Sequence, residues 1–70
     1  MNSINFNIEQ DDLKILFTYC IDAYKSFDEF IKDSKKSYTE YYKRNSENLE
    51  KYGSPKTFSQ WVNSQIIALT

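Results

Sequence analysis

The sequence predicts a mostly α-helical chain with one N-terminal β-strand followed by three helices. Three observations predict it. Ile4, Phe6 and Ile8 alternate with Ser3, Asn5 and Asn7, the period of two that marks a strand with one buried face. From Leu13 to Leu69 apolar residues return at three- and four-residue steps, the period of an amphipathic helix. The single glycine and single proline, Gly53 and Pro55, stand almost together near the C-terminal end, so the long central stretch carries neither breaker.

The alternating stretch raises a problem of its own. A second stretch with convincing alternation is missing from the sequence. The backbone N–H and C=O groups of a lone strand therefore find no ladder partner within the chain. Either the strand lies against a helix and leaves its edges to water, or it pairs with the same strand of another copy.

The first helix begins near Gln10, where Glu9, Asp11 and Asp12 favour the positive end of the helix dipole. Leu13, Leu16, Phe17, Cys20, Ile21 and Tyr24 share its inner face. Ile15 and Tyr19 widen the apolar stripe beyond one face, so this helix is expected to contact more than one partner element. A break follows at Tyr24-Lys25. Ser26 with Glu29 three residues later reads as a capping box that opens the second helix. Phe27, Phe30, Ile31, Ser34, Tyr38, Tyr41 and Tyr42 continue its period, and Asn45, Leu49 and Tyr52 extend it. Two weak points lie at Lys35-Lys36-Ser37 and at Asn45-Ser46-Glu47-Asn48. Gly53 stops the helix, since it adopts left-handed cap geometry without a Cβ clash. The last helix starts at Ser54-Pro55, or with Thr57 as its cap, and carries Phe58, Trp61, Val62, Gln65, Ile66 and Leu69 on one stripe.

Seventy residues are one domain, and a chain this short buries a modest core. With one cysteine and no histidine, an intrachain disulfide and a single-chain zinc site of Cys/His type are both excluded. Self-association is the remaining way to add buried surface. The net charge is −1, which excludes a polybasic nucleic-acid tail. Residues 1–25 hold four acids against two lysines, whereas residues 26–52 balance six acids with six bases. No apolar run approaches a membrane span and the N-terminal residues lack the pattern of a signal peptide, so a cytoplasmic setting without membrane association is expected. The free cysteine suits a reducing compartment.

Several residue groups carry chemistry on paper. Lys32, Lys35, Lys36, Lys43 and Arg44 alternate with acids and read as a solvated face. The tyrosines at 38, 41, 42 and 52 read as the rim of a core or interface. Cys20 falls on the apolar stripe and lacks a neighbouring base. Without histidine or a glycine-rich loop, neither enzymatic activity, nor a cofactor, nor a metal is expected.

Strand, acidic step, helix and capped helix, taken together over residues 3–38, resemble the ribbon-helix-helix family of DNA-binding proteins. The residues that carry the resemblance are Ile4, Phe6 and Ile8; Glu9 to Asp12; Leu13, Leu16, Tyr19 and Cys20; then Ser26, Glu29, Phe30 and Ile31, with Ser34 and Tyr38 behind them. Residues 39–70 would be a helical extension of that core. The resemblance implies an intertwined homodimer in which two strands pair antiparallel, with Ile4, Phe6, Ile8, Phe30 and Ile31 at the dimer interface. It also implies that Ser3, Asn5 and Asn7 face the major groove of double-stranded DNA, with Lys25 and Ser26 at a phosphate. The function it implies is a small transcriptional regulator, a repressor that occludes an operator. The strand's polar face holds a serine and two asparagines and no positive charge. The alternative is a protein-interaction inhibitor of a phage or plasmid element, or an antitoxin. Such a protein would bind a host or toxin protein through residues 39–70, with Tyr41, Tyr42, Phe58 and Trp61 at the contact.

Overall fold

The computed structural model describes residues 4–70. Among them every regular element is helical: α1 is Gln10–Tyr19, α2 is Phe27–Glu47, α3 is Leu49–Tyr52 and α4 is Phe58–Leu69, with a short 3-10 turn at Ile21–Ala23. The predicted N-terminal strand is not formed, and the ribbon-helix-helix fold is corrected with it.

The period-two alternation is nonetheless real as a burial pattern. Ile4, Phe6 and Ile8 are half-buried against the core, whereas Asn5, Asn7 and Glu9 are exposed. What buries the apolar face is the same chain's helices. The Phe6 ring meets Tyr38 of α2 edge-on at 5.9 Å and Phe58 of α4 at 5.3 Å. The ring at the centre of the extended segment is thus wedged between two helices of its own chain. Among the described residues the segment pairs with no other strand.

α1 ends sooner than its pattern predicts. Cys20 leaves helical geometry, and the 3-10 turn followed by extended Tyr24 makes the corner without glycine. The turn leaves Ile21 exposed rather than on the inner face. Ser26 caps α2 by accepting the Glu29 N–H at 3.1 Å. The helix runs unbroken through Lys35-Lys36-Ser37 and ends at the second weak point, where Asn48 turns out of helical geometry. The single turn of α3 stops at Gly53, whose φ of 75° is left-handed, a conformation that costs glycine nothing. Thr57 caps α4 in a full capping box: its Oγ1 accepts the Gln60 N–H at 3.2 Å, and Gln60 Oε1 accepts the Thr57 N–H at 3.1 Å. The box satisfies two N–H groups that a helix start leaves open.

The core is Leu13 and Leu16 of α1, Phe30 and Tyr38 of α2, and Phe58 and Val62 of α4. α1 packs chiefly on α4 and also on α2. Two aromatic clusters extend it along α2. Phe17, Tyr24 and Phe27 surround Phe30, each at centroid distances between 5.3 and 6.1 Å. Tyr41, Tyr42, Phe58 and Trp61 surround Tyr38 at 5.1 to 6.0 Å. Buried Ser34 lies between them, where its small side chain limits the bulk between the two clusters.

The residues implied at a dimer interface all contact the core of their own chain. Phe30 is 2% exposed within a single chain, so its surface is already spent. Ile4, Phe6, Ile8 and Ile31 pack on the same core.

Candidate functional site

Two faces of the molecule stand out. The first is a cleft of about 370 Å³ beside the C-terminal half of α2, where the extended segment, α2 and the loop into α4 meet. Asn5, Asn7, Tyr38, Tyr42, Pro55, Lys56 and Thr57 line it. Two tyrosines fix the backbone of Lys56. The Tyr38 hydroxyl donates to its carbonyl oxygen at 2.7 Å, and its N–H donates to the Tyr41 hydroxyl oxygen at 2.9 Å. The Lys56 side chain stays exposed. Asn5 Oδ1 accepts the Asn7 N–H at 2.9 Å, which leaves the Asn5 amide nitrogen as the outward donor.

The second face is the outer side of α1. Ile15 and Tyr19 lie one helical turn apart, and Ile21 follows in the 3-10 turn. They are 47%, 50% and 55% exposed. The wide apolar stripe of α1 therefore has one side packed on α2 and α4 and one side without a partner in the chain. Around the corner a groove of about 310 Å³, lined by Leu16, Cys20, Phe30, Trp61 and Leu69 among others, runs between α1, α2 and α4. At its edge the Tyr24 hydroxyl hydrogen-bonds the Asp33 carboxylate. That bond, burial and the nearby negative charge push the Tyr24 hydroxyl up to about 12. Burial raises the Tyr38 hydroxyl as well.

The residues implied for DNA binding do not form one patch. Ser3 lies outside the described residues. Asn5 and Asn7 sit at the cleft near Tyr38 and Tyr42, whereas Lys25 and Ser26 sit at the start of α2, about 18 Å away along the helix axis. Ser26 spends its hydroxyl oxygen on the Glu29 N–H. The residues implied for a protein partner are brought together, but with each other. Phe58 is 1% exposed, and Tyr41, Tyr42 and Trp61 are half-buried in the cluster around Tyr38. The anchoring of Lys56 has no local signal, since its partners lie fifteen and eighteen residues upstream. The outer face of α1 had one, in Ile15 and Tyr19.

No family model matches the chain, and neither a curated protein nor a solved structure does. Among the described residues, no group of three or more cysteine or acidic side chains gathers as a metal site would require. No helix among them is long and apolar enough to cross a membrane.

Proposed function

We propose that this chain acts by binding another protein rather than by catalysis, and that the outer face of α1 makes the contact. The observation that carries the reading is the exposure of Ile15, Tyr19 and Ile21 on a helix whose other apolar side is already packed. Exposed apolar residues grouped on one element mark interaction surfaces more than scattered ones do. The rim sets the partner's chemistry. Asp11 and Asp12 lie beside Ile15 at helical spacing, Asp22 follows Tyr19, and Lys14 is the one base on α1. A second copy would bring the same acids to the same rim. A basic amphipathic helix would bring an apolar stripe and opposite charge together.

This reading moves the partner contact from the aromatic C-terminal residues to α1, because Phe58 and Trp61 are occupied in the chain's own core. A major-groove contact by a two-stranded ribbon is not proposed, because Asn5 and Asn7 belong to an unpaired extended segment.

The test uses a leucine–lysine peptide of about four amphipathic helical turns, with a shuffled peptide of equal composition as control. Amide chemical shifts are expected to move at Ile15, Tyr19 and Ile21 with the amphipathic peptide alone. Ile15→Glu with Tyr19→Glu is expected to weaken binding by about tenfold or more, while stability stays within about 0.5 kcal/mol, as for surface changes generally. Equal binding of the shuffled peptide would overturn the reading. So would a homodimer in sedimentation that the double variant disperses, since a second copy would then own the face.

A further inference from the structure

We propose that the cleft between the extended segment and the α4 entry binds a nucleotide, its phosphate at Lys56 and its base between Tyr42 and the amides of Asn5 and Asn7. This site is separate from the outer face of α1 and stands without it.

The cleft is built, not incidental to a loose loop. Both backbone polar groups of Lys56 are held by tyrosine hydroxyls of α2, at 2.7 and 2.9 Å. Pro55 before it has a fixed φ, and Thr57 after it is locked in the α4 capping box. The lysine stem therefore leaves from a rigid point while its ammonium group remains in water. Fixing the backbone beforehand removes part of the ordering cost of binding.

The donors outnumber the acceptors. Because Asn5 Oδ1 already accepts the Asn7 N–H, Asn5 presents its NH2. Asn7 is exposed with its side-chain amide at the cleft. The Tyr42 hydroxyl and the Lys56 ammonium complete a set that suits an anion. No carboxylate lines the cleft, although the chain has ten acids against nine bases. Glu9 belongs to a neighbouring hollow with Asn7, Ile8 and Ser59. Outside the lining, the Lys35 ammonium stands 5.5 Å from the ring of Phe6, the residue between the two asparagines in sequence.

The walls favour a flat ring beside the anion. Tyr42 is half-buried in the lining, and Pro55 adds apolar surface beside Lys56. A tyrosine face stacks a base, the Asn7 amide offers a base edge both donor and acceptor, and the Asn5 NH2 adds a further donor. A volume of about 370 Å³ lies within the size range of small-ligand sites. The same chemistry comes from a free nucleotide or from an unpaired position in a nucleic-acid strand.

Amide chemical shifts of the full chain at low salt, titrated with adenosine monophosphate, inorganic phosphate and a short oligodeoxyadenylate, test the proposal. Adenosine monophosphate is expected to move Asn5, Asn7, Tyr42 and Lys56, with a Kd below about 1 mM, and to bind tighter than phosphate alone. Lys56→Gln is expected to weaken it about tenfold, the loss typical of a charge-assisted hydrogen bond, with an unchanged circular dichroism spectrum. Tighter binding of the oligonucleotide assigns the site to a strand; tighter binding of the monomer assigns it to a free nucleotide. Shifts absent at the four residues with all three probes, or equal binding of phosphate and monophosphate, would overturn it. Neither result bears on Ile15, Tyr19 and Ile21, so this site and the α1 face fail separately.

Discussion

The Tyr38 hydroxyl donates to the Lys56 carbonyl oxygen at 2.7 Å across eighteen residues of chain, and Tyr41 accepts the N–H of the same lysine. These two bonds dock the α4 entry onto α2. Tyr38 is 2% exposed, so its hydroxyl is a polar group placed at the edge of the core. Tyr38→Phe is expected to cost about 1 to 2 kcal/mol in urea unfolding, since it strips a partly buried carbonyl of its donor. Tyr41→Phe is expected to cost less, because water reaches the more exposed Lys56 N–H. The double variant is expected to depart from additivity by at least about 0.5 kcal/mol, as residues sharing one partner do.

Phe6 separates the packing found here from a paired ribbon. Its ring sits between Tyr38 and Phe58 of its own chain. Phe6→Ala is expected to destabilise the fold by about 2 to 3 kcal/mol, below the range for a fully buried phenylalanine, and to leave the sedimentation coefficient of the folded fraction unchanged. Loss of mass on sedimentation with unchanged stability would place Phe6 in a seam between copies instead.

The two helix caps differ in completeness, and their variants should follow. Thr57 both caps α4 and is met by Gln60 in return, whereas Ser26 makes its one bond to Glu29. Ser26→Ala is expected to cost about 1 kcal/mol. Thr57→Ala together with Gln60→Ala is expected to cost more, up to about 2 kcal/mol, because the pair of changes removes both the Oγ1 bond and the Gln60 Oε1 bond to the backbone N–H of residue 57. Urea midpoints at constant slope measure both.

Alkaline pH should act through Tyr24. Its hydrogen bond to Asp33 stabilises the protonated hydroxyl, so the folded value lies near 12 against 10.0 for the free side chain. Protons are then held more tightly by the folded chain. The stabilisation is fully present below pH 10 and is lost as pH rises from 10 towards about 12. Over that window the wild-type chain should lose more stability than Tyr24→Phe. Tyr38, raised by burial, adds a fall of the same sign to both proteins. Equal slopes would mean the Tyr24–Asp33 bond is absent in solution.

Much of the helical framework was legible because its signals are local. Ser26 and Thr57 act through N–H groups three residues away, and Gly53 through its own φ, so neighbouring residues suffice to find them. Asn48 ended α2 while Lys35-Lys36-Ser37 did not, because Ser34 and Tyr38 are buried there and packing holds that turn. The cleft and the anchoring of Lys56 were not legible. They need α4 to fold back on α2, and the tyrosines that make the bonds look like any other helical aromatic stripe.

The alternation of Ile4, Phe6 and Ile8 with Asn5 and Asn7 determined by itself which side of the first segment is buried. Ile15 and Tyr19 in turn determined that α1 has more apolar surface than one partner covers. Only the tertiary structure decided that the chain's own α2 and α4 cover the segment, with Tyr38 and Phe58 on the ring that was expected at a dimer seam. The reason is physical. Periodicity records the direction in which side chains must leave water, and helices of the same chain or the strand of another copy satisfy that direction equally well. The choice falls to contacts far apart in sequence, which residues 4–9 do not encode.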